Sequence, residues 1–225
     1  MWFFRKKRPL EFPDFWWEYE AHFKNDLPDD IPQNTFVVLD TETTGFSLTK
    51  DRMLCIGALK LKDNHIVVKE SFEVYIRQEH YNTGSAEIHG ILKKSKKEQL
   101  EELEALKQFL VYAQNHILVG HHVMFDVNMI NAALKRNGLP KLKNLTLDTE
   151  LLYQKTLLIS SVVQRKERHT LDDLAKKFSI SRKDRHTALG DAYITAIALI
   201  RIMERLKPKN LKDLIKKQGP SRMGL

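Results

Sequence analysis

Apolar residues along the chain fall into two rhythms. Four in succession, Phe36 to Leu39, run straight into Asp40. An unbroken apolar run of this length suits a strand buried on both faces. Arg52–Lys62 and His65–Ile76 are β-branched and partly alternating, which predicts two more strands joined by a turn at Asp63-Asn64. Ile117–Gly120 predicts a further short strand, and Leu145–Leu147 a last one ending at Asp148. Helical spacing governs the rest. It runs through Phe12, Phe15, Trp16, Tyr19 and Phe23, then through Leu100, Leu103, Leu106, Phe109 and Leu110 over residues 96–114. It returns over 123–137, up to the stop Asn137-Gly138-Leu139-Pro140. Two short helices near 148–157 and 170–178 and a long one over about 187–205 follow, while 85–91 reads as a helical turn and loop.

The strands open as a hairpin group and then alternate with helices. This predicts an α/β fold of three layers, a mixed central β-sheet flanked by helices. The expected organisation is an N-terminal extension over 1–33, a main domain over 34–205 and a C-terminal tail over 206–225. Residues 25–34 (NDLPDDIPQN) read as a polar linker. The aromatic stripe before it cannot remain wet, so the main domain or a partner must cover it.

Composition narrows the class. With 42 % hydrophobic and 29 % charged residues, the chain reads as an ordinary soluble protein. The single cysteine, Cys55, excludes an intramolecular disulfide and fits a reducing cytoplasm. No apolar run approaches the roughly 20 residues needed to cross a bilayer. The start, MWFFRKKRPL, carries its charges after three hydrophobic residues, unlike a signal peptide. A cytoplasmic protein without a membrane partner is expected. The net charge of +8 is uneven, with seven Lys/Arg against one Asp in residues 205–225. Beside an acidic site such a tail would suit a polyanion, and a solvated lysine-rich tail is the alternative.

The candidate chemistry lies where strands and helices begin and end. In FVVLDTETTG, Asp40 and Glu42 are two apart at the end of a buried strand, so an extended backbone points both to one side. Unpaired charge there is costly unless a cation meets it. Asp126 sits in a first helical turn with Met129, Ile130 and Ala133 as its helical neighbours, which turns it inward. Asp191, in HTALGDA, again borders an apolar helix face, and His186 lies five residues before it. Asp40, Glu42, Asp126 and Asp191 are hard oxygen ligands with no cysteine among them, which selects Mg²⁺ or Mn²⁺. Several carboxylates without a complete cage match a pair of divalent ions, and a histidine suits the base that takes a proton from an attacking water. A zinc site from His121, His122 and Asp126 is conceivable from residue types, but neighbours on a strand point to opposite faces.

D-x-E in FVVLDTETTG, FD at 125–126 and H-x4-D in HTALGDA together resemble the DEDDh branch of 3′→5′ exonucleases, a group that includes epsilon-type proofreading proteins of bacterial DNA polymerase III. Thr187 stands four residues before the last Asp, where a tyrosine would mark the sister branch. The resemblance covers roughly residues 35–204. It implies a ribonuclease-H-like fold, two divalent metal ions on Asp40, Glu42, Asp126 and Asp191, and His186 as general base. It implies release of nucleoside 5′-monophosphates from single-stranded 3′ ends, with DNA favoured over RNA. It also implies that Thr43, Phe46, His89 and Phe125 lie at the terminal nucleotide, although Phe46 reads equally well as core. The family's usual His-Asn before FD is His121-His122 here. That departure bears on substrate contacts rather than on the carboxylates. Since no polymerase domain is visible, proofreading would require a polymerase or other protein in trans. Two alternatives are an exoribonuclease, and a nucleic-acid-binding module without catalysis.

Overall fold

A computed structural model describes residues 12–79, 90–91, 98–158 and 168–219. Its centre is a seven-stranded mixed sheet in the order β5-β4-β2-β1-β6-β7, with β3 paired to β2. The strands are β1 (Thr35–Thr43), β2 (Met53–Lys62), β3 (His65–Ile66), β4 (Phe72–Ile76), β5 (Gln99–Leu100), β6 (Ile117–Gly120) and β7 (Thr146–Asp148). β1 is antiparallel to β2 and parallel to β6. The helices are α1 (Asp14–Ala21), α2 (Glu102–Ala113), α3 (Met124–Arg136), α4 (Thr149–Leu158), α5 (Leu171–Lys177), α6 (Ala188–Leu206) and α7 (Leu211–Gln218).

Period-two alternation in β1 divides the protein into its layers. Val37 and Leu39 join a core with Trp16 and Tyr19 of α1, Phe109 of α2 and Met129 and Ile130 of α3. Phe36 and Val38 face the other way, into a core with Leu152 of α4, Leu199 and Ile202 of α6 and Leu214 of α7. A central strand covered on both sides explains the unbroken apolar run. Continued along the strand, the same alternation sends Thr41 toward the α3 side and Asp40 and Glu42 toward the α6 side.

The aromatic stripe of α1 is spent on the fold. Trp16 and Tyr19 are buried, and the Tyr19 hydroxyl donates to Asn144 Oδ1 at 2.6 Å and accepts from Lys143 N–H at 2.9 Å. The linker is tied down as well: Asp29 O accepts from Leu211 N–H at 2.7 Å, and Asp29 Oδ2 accepts from Asn210 Nδ2 at 2.9 Å. Residues 211–218, expected in a tail, form α7. Its Leu211 and Leu214 enter the second core, and Gln218 Oε1 accepts from Asp148 N–H at 2.7 Å. The lysines at 212, 216 and 217 stand on the same helix as these buried leucines.

Two elements differ from expectation. His65–Ile76 is not one strand. A 3₁₀ turn, Val68–Glu70, takes up the change of register between β3, where Leu61 faces Ile66, and β4, where Ala58 faces Phe72. Glu70 in that turn pairs with Lys60 at 3.2 Å and Lys62 at 3.0 Å, and Val68 is exposed. The helix expected over 96–114 begins at Glu102, because Leu100 pairs with Ile76 as part of β5. Leu103 is therefore exposed, and Ala105, Leu106, Phe109, Leu110 and Ala113 form the buried stripe. Residues 85–89 of the expected helical turn, His89 among them, lie outside the described residues. Among the described residues no helix is long and apolar enough to cross a membrane.

Candidate metal centre

Asp40, Glu42 and Asp191 each offer a carboxylate oxygen, and these oxygens all lie within 4.8 Å of one another. Among the described residues this is the one group of three or more His, Cys, Asp or Glu side chains so arranged. Asp40 and Glu42 arrive on the α6-facing side of β1, and α6 supplies Asp191 in its first turn. Gly57 allows the helix to come that close. It sits opposite Asp40 in the β1–β2 ladder, and a Cβ there would lie 2.3 Å from Leu189 N and 2.4 Å from Ala188 C. The start of α6 is set by Thr187, whose Oγ1 accepts from Gly190 N–H at 3.1 Å and donates to Asp184 O at 2.8 Å.

Asp126 comes from the other side. It is buried in the first turn of α3, and its Oδ1 accepts from both Thr41 N–H at 2.9 Å and Thr41 Oγ1 at 2.7 Å. Thr41 is the α3-facing residue between Asp40 and Glu42, so Asp126 is locked to the strand just behind the three clustered carboxylates. It stands beside the cluster rather than within it.

Burial and mutual repulsion push all four acids toward the protonated form. Burial, followed by the charges of Asp126, Asp191 and Glu42, raises Asp40 well above the usual carboxylate range. Burial and the charges of Asp191 and Asp126 lift Glu42 to about 8. Burial lifts Asp126 to about 7 against the two bonds from Thr41. Burial also raises Asp191, and the Arg185 guanidinium opposes it. Like charges in a desolvated site favour proton uptake, and a bound cation reverses that preference. Hard oxygens, close spacing and unbalanced charge all fit divalent ions such as Mg²⁺ or Mn²⁺.

One cation at the site has no clear signal in the sequence. Arg185 Nη1 donates to Asp191 Oδ2, and its Nε donates to Asp172 Oδ1 at 3.2 Å. The only hint in the sequence was the basic run RKDR before His186. His186 is exposed and adopts a left-handed backbone, φ 65°. Its main chain reaches the cluster, with the N–H 3.3 Å from Asp191 Oδ1.

The remaining positions divide. Phe46 is 87 % exposed, which overturns its reading as core, and its ring lies 5.7 Å from that of half-buried Phe125. Thr43 Oγ1 donates to Gly45 O at 2.8 Å and shapes the turn that presents Phe46. The zinc alternative fails on geometry. His121 turns toward Thr149 Oγ1 at 3.1 Å and His169 O at 2.8 Å. His122, in a left-handed conformation, is exposed, and its N–H bonds to Asp148 Oδ1 at 3.2 Å.

Residues 37–199 match the family model RNase_T, described as an exonuclease family. The chain is 31 % identical over 212 residues to a PolC-type DNA polymerase III of Thermotoga petrophila, covering 88 % of this chain and 14 % of that protein. It is 31 % identical over 195 residues to the counterpart from Streptococcus mutans, covering 84 % and 13 %. The chain thus spans about one seventh of the length of these curated relatives. Among solved structures, exonuclease I superposes with a TM-score of 0.66 at 18 % identity, covering 76 % of this chain and 41 % of that one. Exonuclease X in complex with 5′ overhanging duplex DNA gives 0.61 at 20 % identity, covering 82 % and 99 %. These likenesses establish the ribonuclease-H-like exonuclease fold.

Proposed function

The chain belongs to the RNase_T exonuclease family, and from that premise we propose that it is a metal-dependent 3′→5′ exonuclease. The observation that carries the reading is the meeting of Asp40, Glu42 and Asp191 within 4.8 Å at the end of β1. We assign the exonuclease unit to residues 34–205, with 1–33 and 206–225 as extensions, of which the described residues 12–33 and 206–219 pack on it.

Asp40, Glu42 and Asp191 would hold the ions, with Asp126 completing the acidic set from the Thr41 side. When bound, two divalent ions supply charge for the attacking water and the leaving oxygen of a phosphodiester. The protein's own work is positional. Thr41 fixes Asp126 and Gly57 lets α6 deliver Asp191, and a bound cation would favour the ionised carboxylates. His186 takes the proton of the attacking water. Its place just outside the Thr187 N-cap supports that role, since an exposed ring there is free to turn toward the cluster.

Exposed Phe46 and half-buried Phe125 form an aromatic pair beside the same strand end, suited to stacking on a terminal base. Thr43 sets the turn below them, and His89 is assigned to the same nucleotide. DNA is the favoured substrate. The structural neighbours include exonuclease I with a dA16 oligonucleotide and exonuclease X with duplex DNA, and the relatives are DNA polymerases. A polymerase is the corresponding protein partner, and the cytoplasm the corresponding compartment.

Matched 5′-labelled single-stranded DNA and RNA with Mg²⁺ or Mn²⁺ test the substrate. The expected result is faster loss of the DNA, abolished by Asp40→Ala; faster loss of the RNA would overturn the preference. Full activity of Asp40→Ala in a contaminant-free preparation would overturn the metal assignment.

A further inference from the structure

The chemistry above leaves Arg185 unused, although it is the best-anchored cation at the site. Its side chain is mostly buried and lies between two carboxylates. Nη1 donates to Asp191 Oδ2, Nε donates to Asp172 Oδ1 at 3.2 Å, and Nη2 stands 3.5 Å from Asp172 Oδ2. With the His186 N–H on Oδ1, both oxygens of Asp191 are engaged. The guanidinium charge also reaches Asp40 and Glu42, where it opposes the upward push of their neighbours.

A divalent ion at the Asp40–Glu42–Asp191 cluster and the Arg185 guanidinium would claim the same Asp191 oxygen. Resting on the metal reading of this site, we propose that Arg185 is a latch. In the metal-free protein it occupies Asp191 in place of a cation, and it withdraws onto Asp172 when a divalent ion takes Asp191. The forked side chain suits this exchange. Nε and Nη2 already face Asp172, so release of Nη1 breaks one contact and keeps the rest. Asp172 belongs to α5, outside the group of three carboxylates, and Arg182 supports it at 3.6 Å. The latch holds three close carboxylates together without an ion and sets a threshold for loading one. Arg185 is thus a positioning residue. A lysine would keep the charge but lacks the rigid planar fork that holds Asp172 with two donors while a third meets Asp191.

Calorimetric titration of the EDTA-stripped full chain with MnCl₂ tests the latch, comparing wild type with Arg185→Gln and Arg185→Lys. Both variants should bind Mn²⁺ more tightly, by about tenfold. Both should melt at a lower temperature than wild type in EDTA, with the gap closing in saturating Mn²⁺. In the wild type, the Arg185 Nε–Hε resonance, assigned by its loss in Arg185→Lys, should move during a Mg²⁺ titration with the midpoint of binding. If Arg185→Lys binds like wild type while Arg185→Gln binds tighter, charge alone explains the effect and the latch is overturned. Unchanged affinity in both variants, or an Arg185 resonance that stays in place, overturns it too. Failure of wild type to bind Mn²⁺ would sink the metal reading itself, and the latch with it.

Discussion

Gly57→Ala tests how the site is assembled without touching any carboxylate. Gly57 faces Asp40 across the β1–β2 ladder and contacts the first residues of α6. An added Cβ would stand 2.3 Å from Leu189 N, 2.4 Å from Ala188 C and 2.8 Å from Ala188 O, where ordinary contact begins at 3.4 Å. All three atoms are backbone, so no side-chain rotation relieves the clash. Either the helix end or the β2 strand must yield by about 1 Å, the deficit set by these contacts. Overpacking of this kind costs about 1–3 kcal/mol, and each kcal/mol lowers the melting temperature of a protein this size by roughly 2–4 °C. The catalytic effect should be larger. Asp191 is the fourth residue of that helix, and a misplacement of about 1 Å can cost on the order of 100-fold in rate. The expected outcome is a variant that folds, melts a few degrees lower, and loses on the order of 100-fold in single-turnover hydrolysis of labelled single-stranded DNA. Hydrolysis within twofold of wild type would refute the claim that close approach of α6 at Gly57 builds the site.

Other predictions follow from the charge and exposure of the site. Glu42 and Asp126 have folded pKa values raised to about 8 and about 7, so the metal-free protein binds more protons folded than unfolded. Their contribution to stability is present below the ordinary carboxylate range and lost as pH rises toward 8. Melting in EDTA should therefore fall between pH 5 and pH 8.5, and saturating Mg²⁺ should flatten the profile; a profile flat without metal would contradict this. Titration with Mn²⁺ at pH 7 should release protons, seen as a binding enthalpy that depends on the buffer. Phe46→Ala should raise KM for single-stranded DNA while leaving the melting temperature within about 1 °C, because the ring is exposed. His186→Ala should lower the chemical rate with DNA binding nearly kept, and an equal loss of both would remove it as the base.

Much of this architecture was legible in the sequence because it rests on period. The run Phe36–Leu39 announced a strand covered on both faces, and Asp40 and Glu42 inherited one direction from its alternation. Asp126 and Asp191 declared themselves as acids among apolar helix neighbours, and both are buried. What stayed hidden depends on contacts between distant segments. Nothing local says that Gly57 faces α6, that Thr41 bonds Asp126, or that Gln218 reaches Asp148. The lysine-rich stretch after residue 205 concealed α7, because three of its eight residues are lysines and its buried face holds little beyond Leu211 and Leu214. The break at Val68–Glu70 was invisible for a similar reason. The composition favours a strand, but pairing to two parts of β2 in different registers needs a turn.

The central claim is that the Asp40–Glu42–Asp191 cluster binds divalent ions to drive hydrolysis from the 3′ end. The most direct test is a time course on 5′-labelled single-stranded DNA in Mg²⁺, resolved to single nucleotides. The account predicts a ladder that shortens stepwise from the 3′ end, releases nucleoside 5′-monophosphates, stops in EDTA and is absent with Asp191→Asn. Immediate release of the label as a mononucleotide, or a ladder that persists in EDTA, would contradict it.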